Sequence, residues 1–398
     1  MIPKSFFELL HQGASIQRWN DHFRPHKGFT ELDKQAHKAF YMYVLQKFEP
    51  EHKADRQVLI EGCIFEYLHR IILTDIKPPV FHKLMDEKGE QINRWVLEEL
   101  REDCSGIGGN FYNKMEQYFL DDDYAVYEKK IISAAHYLAT AWEFDIVYPM
   151  SAALYGVAGV KAEIESEIAQ YFELKGVQRY YADYRMKNFL NLVGQLRLQQ
   201  RWARCYRIPE TSVMGHMLIV AILSYLFTLE LGGCKKRLCN NFFGGLFHDL
   251  PEVLTRDIVS PVKRSVEGLD DIIKEIENDA VNDRIFPLLP ESWHSEINYY
   301  IQNEFTSKYR QNGKTVFTTS SEINTSLNSD MFDPLDGELI RGADHLAAFL
   351  EAYLSVSHGI SSEPLVAGLN NLYRDYQDKQ VAGIDFGHYF SLFYPEQN

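Results

Sequence analysis

Apolar residues recur at three- and four-residue spacing over four long stretches of the chain, and strand-like alternation is scarce. "DKQAHKAFYMYVLQKF" (33–48), "EKKIISAAHYLATAWEF" (128–144), "MGHMLIVAILSYLF" (214–227) and "GELIRGADHLAAFLEAYL" (337–354) each repeat with the period of a helix, so the expected fold class is all-α. The run from Met217 to Gly233 is apolar for most of its length, yet it contains Ser224, Tyr225, Thr228 and Glu230 and closes on a glycine pair. A bilayer span asks for about 20 apolar residues. A buried core helix is expected here, and no membrane.

The pattern occurs twice. "GCIFEYLHRIILTDIKPPV" from Gly62 to Val80 and "GGLFHDLPEVLTRDIVSPV" from Gly244 to Val262 align without a gap at a constant offset of 182. Identities fall at Gly62/Gly244, Phe65/Phe247, Leu68/Leu250, Asp75/Asp257, Ile76/Ile258, Pro79/Pro261 and Val80/Val262. Upstream, Phe6 to Trp19 matches Phe189 to Trp202 and shares a closing Gln-Arg-Trp. His37 then pairs with His216, and downstream His136 stands opposite Asp344. The organisation expected is two tandem helical domains packed together, 1–175 and 176–398, with the boundary near Gly176. The second copy is longer between Asp257 and Asp344. The polar tract 307–330, rich in Ser, Thr and Asn, is the expected insertion and reads as a surface loop or a mobile cover.

Composition adds bounds. With 398 residues, 45% of them hydrophobic, the chain has material for two sizeable cores. A net charge of −15 argues against coating duplex nucleic acid, which needs clustered Lys and Arg. It leaves room for a local basic pocket holding one small anion. The five cysteines include no CxxC pair and are odd in number, which favours reduced thiols, and the N-terminus lacks a secretory pattern, so the expected location is cytoplasmic. Lys235-Lys236-Arg237 reads as a surface turn and Lys263-Arg264 as a solvated helix end.

The chemistry concentrates in the second copy. His216, His248, Asp249 and Asp344 offer two imidazoles and two carboxylates, a donor set suited to one divalent transition ion (Mn, Fe, Co, Ni or Zn) rather than to Mg or Ca. The adjacent His248-Asp249 ends an apolar run, and burying that pair without a partner or an ion would be costly.

The arrangement His, His-Asp, Asp resembles the HD-domain metal-dependent phosphohydrolases. The longer string, Arg201-Trp202, His216 and "HDLPEVLTRDIVSPVK", is similar to the YfbR-like bacterial 5′-deoxynucleotidases, whose pattern is Arg-Trp, His, HDxxEvxTGDxxxPvK and a late Asp. The resemblance implies a tandem HD fold in which His216, His248, Asp249 and Asp344 hold the metal. It also implies that Arg201 contacts the substrate phosphate, Trp202 packs near the sugar, Glu252 assists the attacking water and Asp257 meets the sugar hydroxyl. Arg256 stands where that family has Gly, and Gly215 where an acidic residue is common. The implied activity is hydrolysis of a (deoxy)nucleoside 5′-monophosphate to nucleoside and phosphate. A different HD phosphohydrolase acting on a nucleoside triphosphate or alarmone, and a nucleotide-binding regulator without turnover, are the alternatives. The small-molecule partner is a nucleotide, and the assembly is a monomer with pseudo-dimeric halves or a homodimer.

In the first copy Glu66, Tyr67, Arg70 and His136 stand opposite His248, Asp249, Glu252 and Asp344, which should abolish the same reaction. Three readings remain open there: a structural lobe, an anion or nucleotide sensor using Arg18 and Arg70, and a residual metal site of His37, Glu66 and His136.

Overall fold

The computed structural model describes every residue except 24–27, 51–52, 257–265, 267 and 395–398. Asp257 and Lys263-Arg264 therefore lie outside the described residues. The protein is predominantly helical and divides into two compact units, Met1–Asn191 and Leu192–Asn398. Gly176 sits in the first unit, where a Cβ would fall 2.5 Å from the Leu45 carbonyl oxygen, so only glycine permits that approach.

The first unit comprises α1 (Lys4–Gln12), α2 (Glu31–Gln46), α3 (Arg56–Leu73), α4 (Pro78–Glu99), α5 (Phe111–Leu120), α6 (Val126–Ser151), α7 (Val157–Ala169) and α8 (Lys175–Ala182). Helix α2 packs along α6 and α3. Thr30 caps α2 by accepting from Asp33 N at 3.2 Å, and Asp55 caps α3 through Gln57 N at 2.9 Å. Gly62 lets α3 close on α6, because a Cβ there would lie 2.6 Å from Ile132 Cδ1.

The second unit is built around α9 (Val213–Glu230), with α10 (Lys235–Phe247), the short α11 (Glu252–Thr255), α12 (Leu269–Ala280), α13 (Glu291–Ile301), α14 (Gly337–Ser357), α15 (Glu363–Tyr376) and α16 (Phe386–Ser391). Every side chain from Val213 to Leu229 is buried. Helix α9 is long and apolar enough to cross a membrane, but 94% of it is buried, as expected of a core helix. Each of its buried Leu, Ile, Val, Met and Phe side chains contributes roughly 1.5–3 kcal/mol of transfer free energy. Helices α10 and α14 flank it. Gly245 allows the first contact, since a Cβ would meet Ala221 Cα at 2.8 Å. Gly244 allows α10 to approach α14, with Ile340 Cδ1 at 2.7 Å from where its Cβ would lie. The repeated glycine of the sequence thus marks one kind of close helix approach in both units.

The polar tract 307–330 is not a structureless loop. It forms a hairpin of β1 (Lys308–Gln311) and β2 (Lys314–Phe317), paired Lys308↔Phe317 through Gln311↔Lys314, followed by short helical turns. Its hydroxyls and amides satisfy a buried cluster. Ser307 and Ser320 both donate to Asp336 Oδ1, Arg237 Nη2 donates to Asp336 Oδ2 at 2.7 Å and to Asn324 Oδ1 at 2.8 Å, and Asn328 accepts from Cys234 N. Asp336, fully buried, caps α14 by accepting from Leu339 N at 3.2 Å. The tract is thus fastened to the start of the helix that carries Asp344. The expected surface turn at Lys235-Lys236-Arg237 is corrected for the same reason, because these residues open α10 and Arg237 is buried on Asp336. All five cysteines are free thiols.

Candidate metal centre

Three elements of the second unit converge. His216 lies in the first turn of α9, whose Ser212 cap accepts from Gly215 N at 2.9 Å. His248 and Asp249 stand where α10 ends. Asp344 and Glu351 lie two helical turns apart on α14 and so share a face. The loop with Arg201 and Trp202 is tied to the start of α9 by an antiparallel bridge, Gln200 to Ser212, and by Arg201 N donating to Thr211 O at 3.0 Å.

Ligand atoms of His216, His248 and Asp249 lie within 4.8 Å of one another, a cluster able to hold one divalent ion. His216 Nε2 is hydrogen-bonded to Asp344 Oδ1 at 2.8 Å, which brings the fourth expected residue to the same place. His248 Nδ1 donates to the Gly245 carbonyl at 2.8 Å, which leaves Nε2 to face the cluster. That Nε2 is buried, lies 3.1 Å from Asp249 Oδ2, and has no hydrogen-bond partner among the described residues. A buried imidazole nitrogen facing a carboxylate is what a metal ion would satisfy, and the donor set fits one.

The electrostatics agree. Burial pulls the His248 pKa down, but the Asp249 carboxylate outweighs it and raises the value to about 9. For His216, burial and the Arg201 cation pull down while Glu351 and Asp344 more than offset them. Burial would push Asp344 up, yet hydrogen bonding to His216 and the neighbouring imidazoles hold it far below the usual carboxylate range. The site is a trap for positive charge, in which protons and a cation compete for the same lone pairs.

Glu351 is a residue that the sequence motifs do not single out. It is buried, its Oε1 accepts from Thr211 Oγ1 at 2.7 Å and lies 3.3 Å from His216 Nδ1, and its Oε2 accepts from the Trp202 indole at 2.9 Å. Arg201 Nε is 3.9 Å from the same Oε2, Arg201 Nη1 is 3.9 Å from Asp249 Oδ2, and Arg207 Nη1 donates to the Glu351 carbonyl at 3.3 Å. Glu351 therefore orients one histidine of the cluster and both residues of the Arg-Trp pair. Trp202 has a left-handed φ of 57°, matched by 58° at Trp19, and its ring covers Gly368, where a Cβ would lie 2.7 Å from it. The signal available in the chain was a shared spacing: Glu351 follows Asp344 by the same seven residues that separate Glu143 from His136.

Of the other expected residues, Glu252 opens α11 one turn beyond His248 with its side chain buried, and its backbone N donates to Asp249 O at 3.1 Å. Arg256 follows that helix at φ 66°, a left-handed conformation that suits the glycine of the pattern it departs from. Thr74 has a similar φ, 59°, at the end of α3.

The first unit makes several contacts of the same kind with different chemistry. Gln17 bridges Thr30 as Gln200 bridges Ser212, and the Trp19 indole donates to Glu143 at 2.8 Å as that of Trp202 does to Glu351. The common cap, Thr30 and Ser212, places Lys34 rather than His37 opposite His216. The pairing of His37 with His216 is thereby corrected. His37 Nε2 instead bonds the Leu190 carbonyl at 2.9 Å, and its ring packs edge-on against Trp142. The residual metal site of His37, Glu66 and His136 is overturned as well. Lys34 Nζ sits on the His136 ring, 3.1 Å from Nε2, and Lys38 Nζ pairs with Glu66 at 2.9 Å. Tyr67, opposite Asp249, turns into the core and donates to the Leu10 carbonyl.

Residues 193–373 match the family model described as HD domain. The chain is 34% identical over 106 residues to a dATP triphosphohydrolase of Acinetobacter phage SH-Ab 15497, covering 22% of this chain and 52% of that protein, so it spans about half the length of that relative. It is 22% identical over 186 residues to a 5′-deoxynucleotidase of Pasteurella multocida (44% of this chain, 77% of the relative). It is 25% identical over 182 residues to a 4′-phosphooxetanocin A phosphatase of Priestia megaterium (44% and 76%). Residues 193–373, which match the HD-domain model, thus contain the histidine-aspartate cluster, and this part of the chain is broadly similar to the 5′-deoxynucleotidases.

Proposed function

We propose that the second unit is a metal-dependent phosphomonoesterase that cleaves (deoxy)nucleoside 5′-monophosphates to nucleoside and phosphate. The observation that carries this reading is the buried His248 Nε2, left without a hydrogen bond beside Asp249 and His216. In it His216, His248, Asp249 and Asp344 hold one divalent ion. When bound, the ion polarises a phosphoryl oxygen and lowers the pKa of water.

The chain's own residues do the rest. Arg201, 3.9 Å from both Asp249 and Glu351, offers its guanidinium fork to two phosphate oxygens and offsets the charge that develops there. Trp202, held by Glu351, packs on the sugar. Glu252 orients the attacking water and accepts its proton on the carboxylate. Asp257 meets the sugar hydroxyl. Glu351 positions His216, Trp202 and Arg201 without touching substrate. The architecture in this proposal is a tandem pair of HD-type domains, the first having lost its ligands.

The test is a panel of nucleoside monophosphates with Mn, Co, Fe, Ni and Zn, read as phosphate release. Turnover that disappears with Asp249→Asn is expected; no release from any monophosphate by metal-loaded protein would overturn the reading. The similarity to a dATP triphosphohydrolase favours a second substrate class, a nucleoside triphosphate. Product analysis separates the two, since orthophosphate marks the first and triphosphate the second.

A further inference from the structure

In the first unit the place of the metal cluster is taken by amines and guanidiniums, and they differ in how they are neutralised. Arg18 is fully engaged: its Nη1 pairs with Glu31 at 2.9 Å and its Nε with Glu143 at 2.8 Å. Lys38 is committed to Glu66. Lys34 is fully buried, forms no ion pair among the described residues, and has the His136 ring as its partner. Arg70, opposite the expected water-assisting Glu252, makes no side-chain hydrogen bond among the described residues. Its Nε is buried 3.8 Å from Glu31 Oε1 and its guanidinium lies over the Phe81 ring. Burying an ammonium without a counter-ion is unfavourable, and an arriving anion removes the penalty.

We propose that the first unit binds a phosphate monoester without metal, its oxygens held by Lys34 Nζ and the Arg70 guanidinium. The ammonium serves as a point charge and the guanidinium as a fork for two oxygens. His136, beside Lys34, and Arg70 are only partly buried, which puts the edge of the cluster at the surface of the unit. Asp75, near Arg18 and Arg70 just past the end of α3, has its pKa raised by partial desolvation, against the pull of the two guanidiniums.

The surroundings of Lys34 set a distinctive signature. Burial and the cations Arg18, Lys38 and Arg70 push its pKa well down, and Glu31 only partly opposes them. His136 is pushed down by burial and by the cations Lys34, Lys38, Arg70 and Arg18. An arriving phosphate dianion works against both shifts and favours the charged ammonium of Lys34.

The choice of a phosphate monoester rests on the proposed function of the second unit, so the experiment keeps the two apart. Inorganic phosphate and then deoxyadenosine 5′-monophosphate are titrated by calorimetry into the full chain carrying Arg201→Ala, in EDTA, where second-unit hydrolysis plays no part. Binding is expected, weakened at least tenfold by Lys34→Met and by Arg70→Gln. Arg70 is less buried than Lys34, so Arg70→Gln guards against a folding defect in the buried variant, with far-UV circular dichroism as the check. No binding by the Arg201→Ala chain, or binding unchanged in both variants, would overturn the proposal. Binding here, together with no phosphate release from any monophosphate by the metal-loaded wild-type chain, would support it while sinking the proposed activity.

Discussion

Replacing Glu351 by Gln keeps the side chain's shape and removes its charge. The two carboxylate oxygens now accept from Thr211 Oγ1 and from the Trp202 indole, and face His216 Nδ1 and Arg201 Nε. A carboxamide must place its NH2 at one of these positions, where in either orientation it meets a donor. Burial would raise the carboxylate's pKa, but Arg207 and His216 prevail and hold it well below its usual range. Loss of one charged hydrogen bond costs about 1.5–3 kcal/mol. Partners behind a metal-ligating histidine typically account for 10–100-fold in metal affinity. Glu351→Gln should therefore weaken divalent-metal binding by roughly 10–100-fold and lower the melting temperature by several degrees. Competition with a chromogenic chelator measures the first and differential scanning calorimetry the second. Wild-type metal affinity in a variant with a lowered melting temperature would refute the positioning role and leave Glu351 a structural residue.

Asp249→Asn should abolish metal binding while leaving the helical signal unchanged, since it removes the carboxylate beside His248 Nε2; isothermal titration with Mn would show it. Gly245→Ala would drive a Cβ to 2.8 Å from Ala221 Cα. The strain should cost about 1–3 kcal/mol in urea unfolding and weaken metal binding, because Gly245 also supplies the carbonyl that orients His248. In the first unit, Glu31 is held at about 2, where burial would raise it but Arg18, Lys34 and Arg70 prevail. Its depressed pKa contributes stability above its unfolded value of 4.5 that is lost as pH falls toward 2, about 3 kcal/mol in all. Glu31→Gln should flatten the acid limb of the stability curve in that window, and an unchanged limb would count against the assignment.

Much of this was legible in the chain. The 3.6-residue period marked the long helices, because burial of one face dictates apolar spacing. Glycine at 62 and 244 marked positions where helices meet. The His248-Asp249 pair ending an apolar run announced chemistry, since buried polar groups require partners. Other features were not legible because they depend on which atoms meet in space. His37 looked like the counterpart of His216, yet the common helix cap puts Lys34 there. The tract 307–330 looked like a loop by composition, but its Ser and Asn side chains satisfy Arg237 and Asp336 inside the unit.

The sequence by itself determined the helical period, the repeated string and the donor types of the metal cluster, all of which are local or pairwise along the chain. Only the tertiary structure decided that Glu351 stands behind His216 and Trp202, and that Lys34 fills the matching place in the first unit. Hydrogen-bond partners are set by distances between helices far apart in sequence, and spacing along the chain does not contain them.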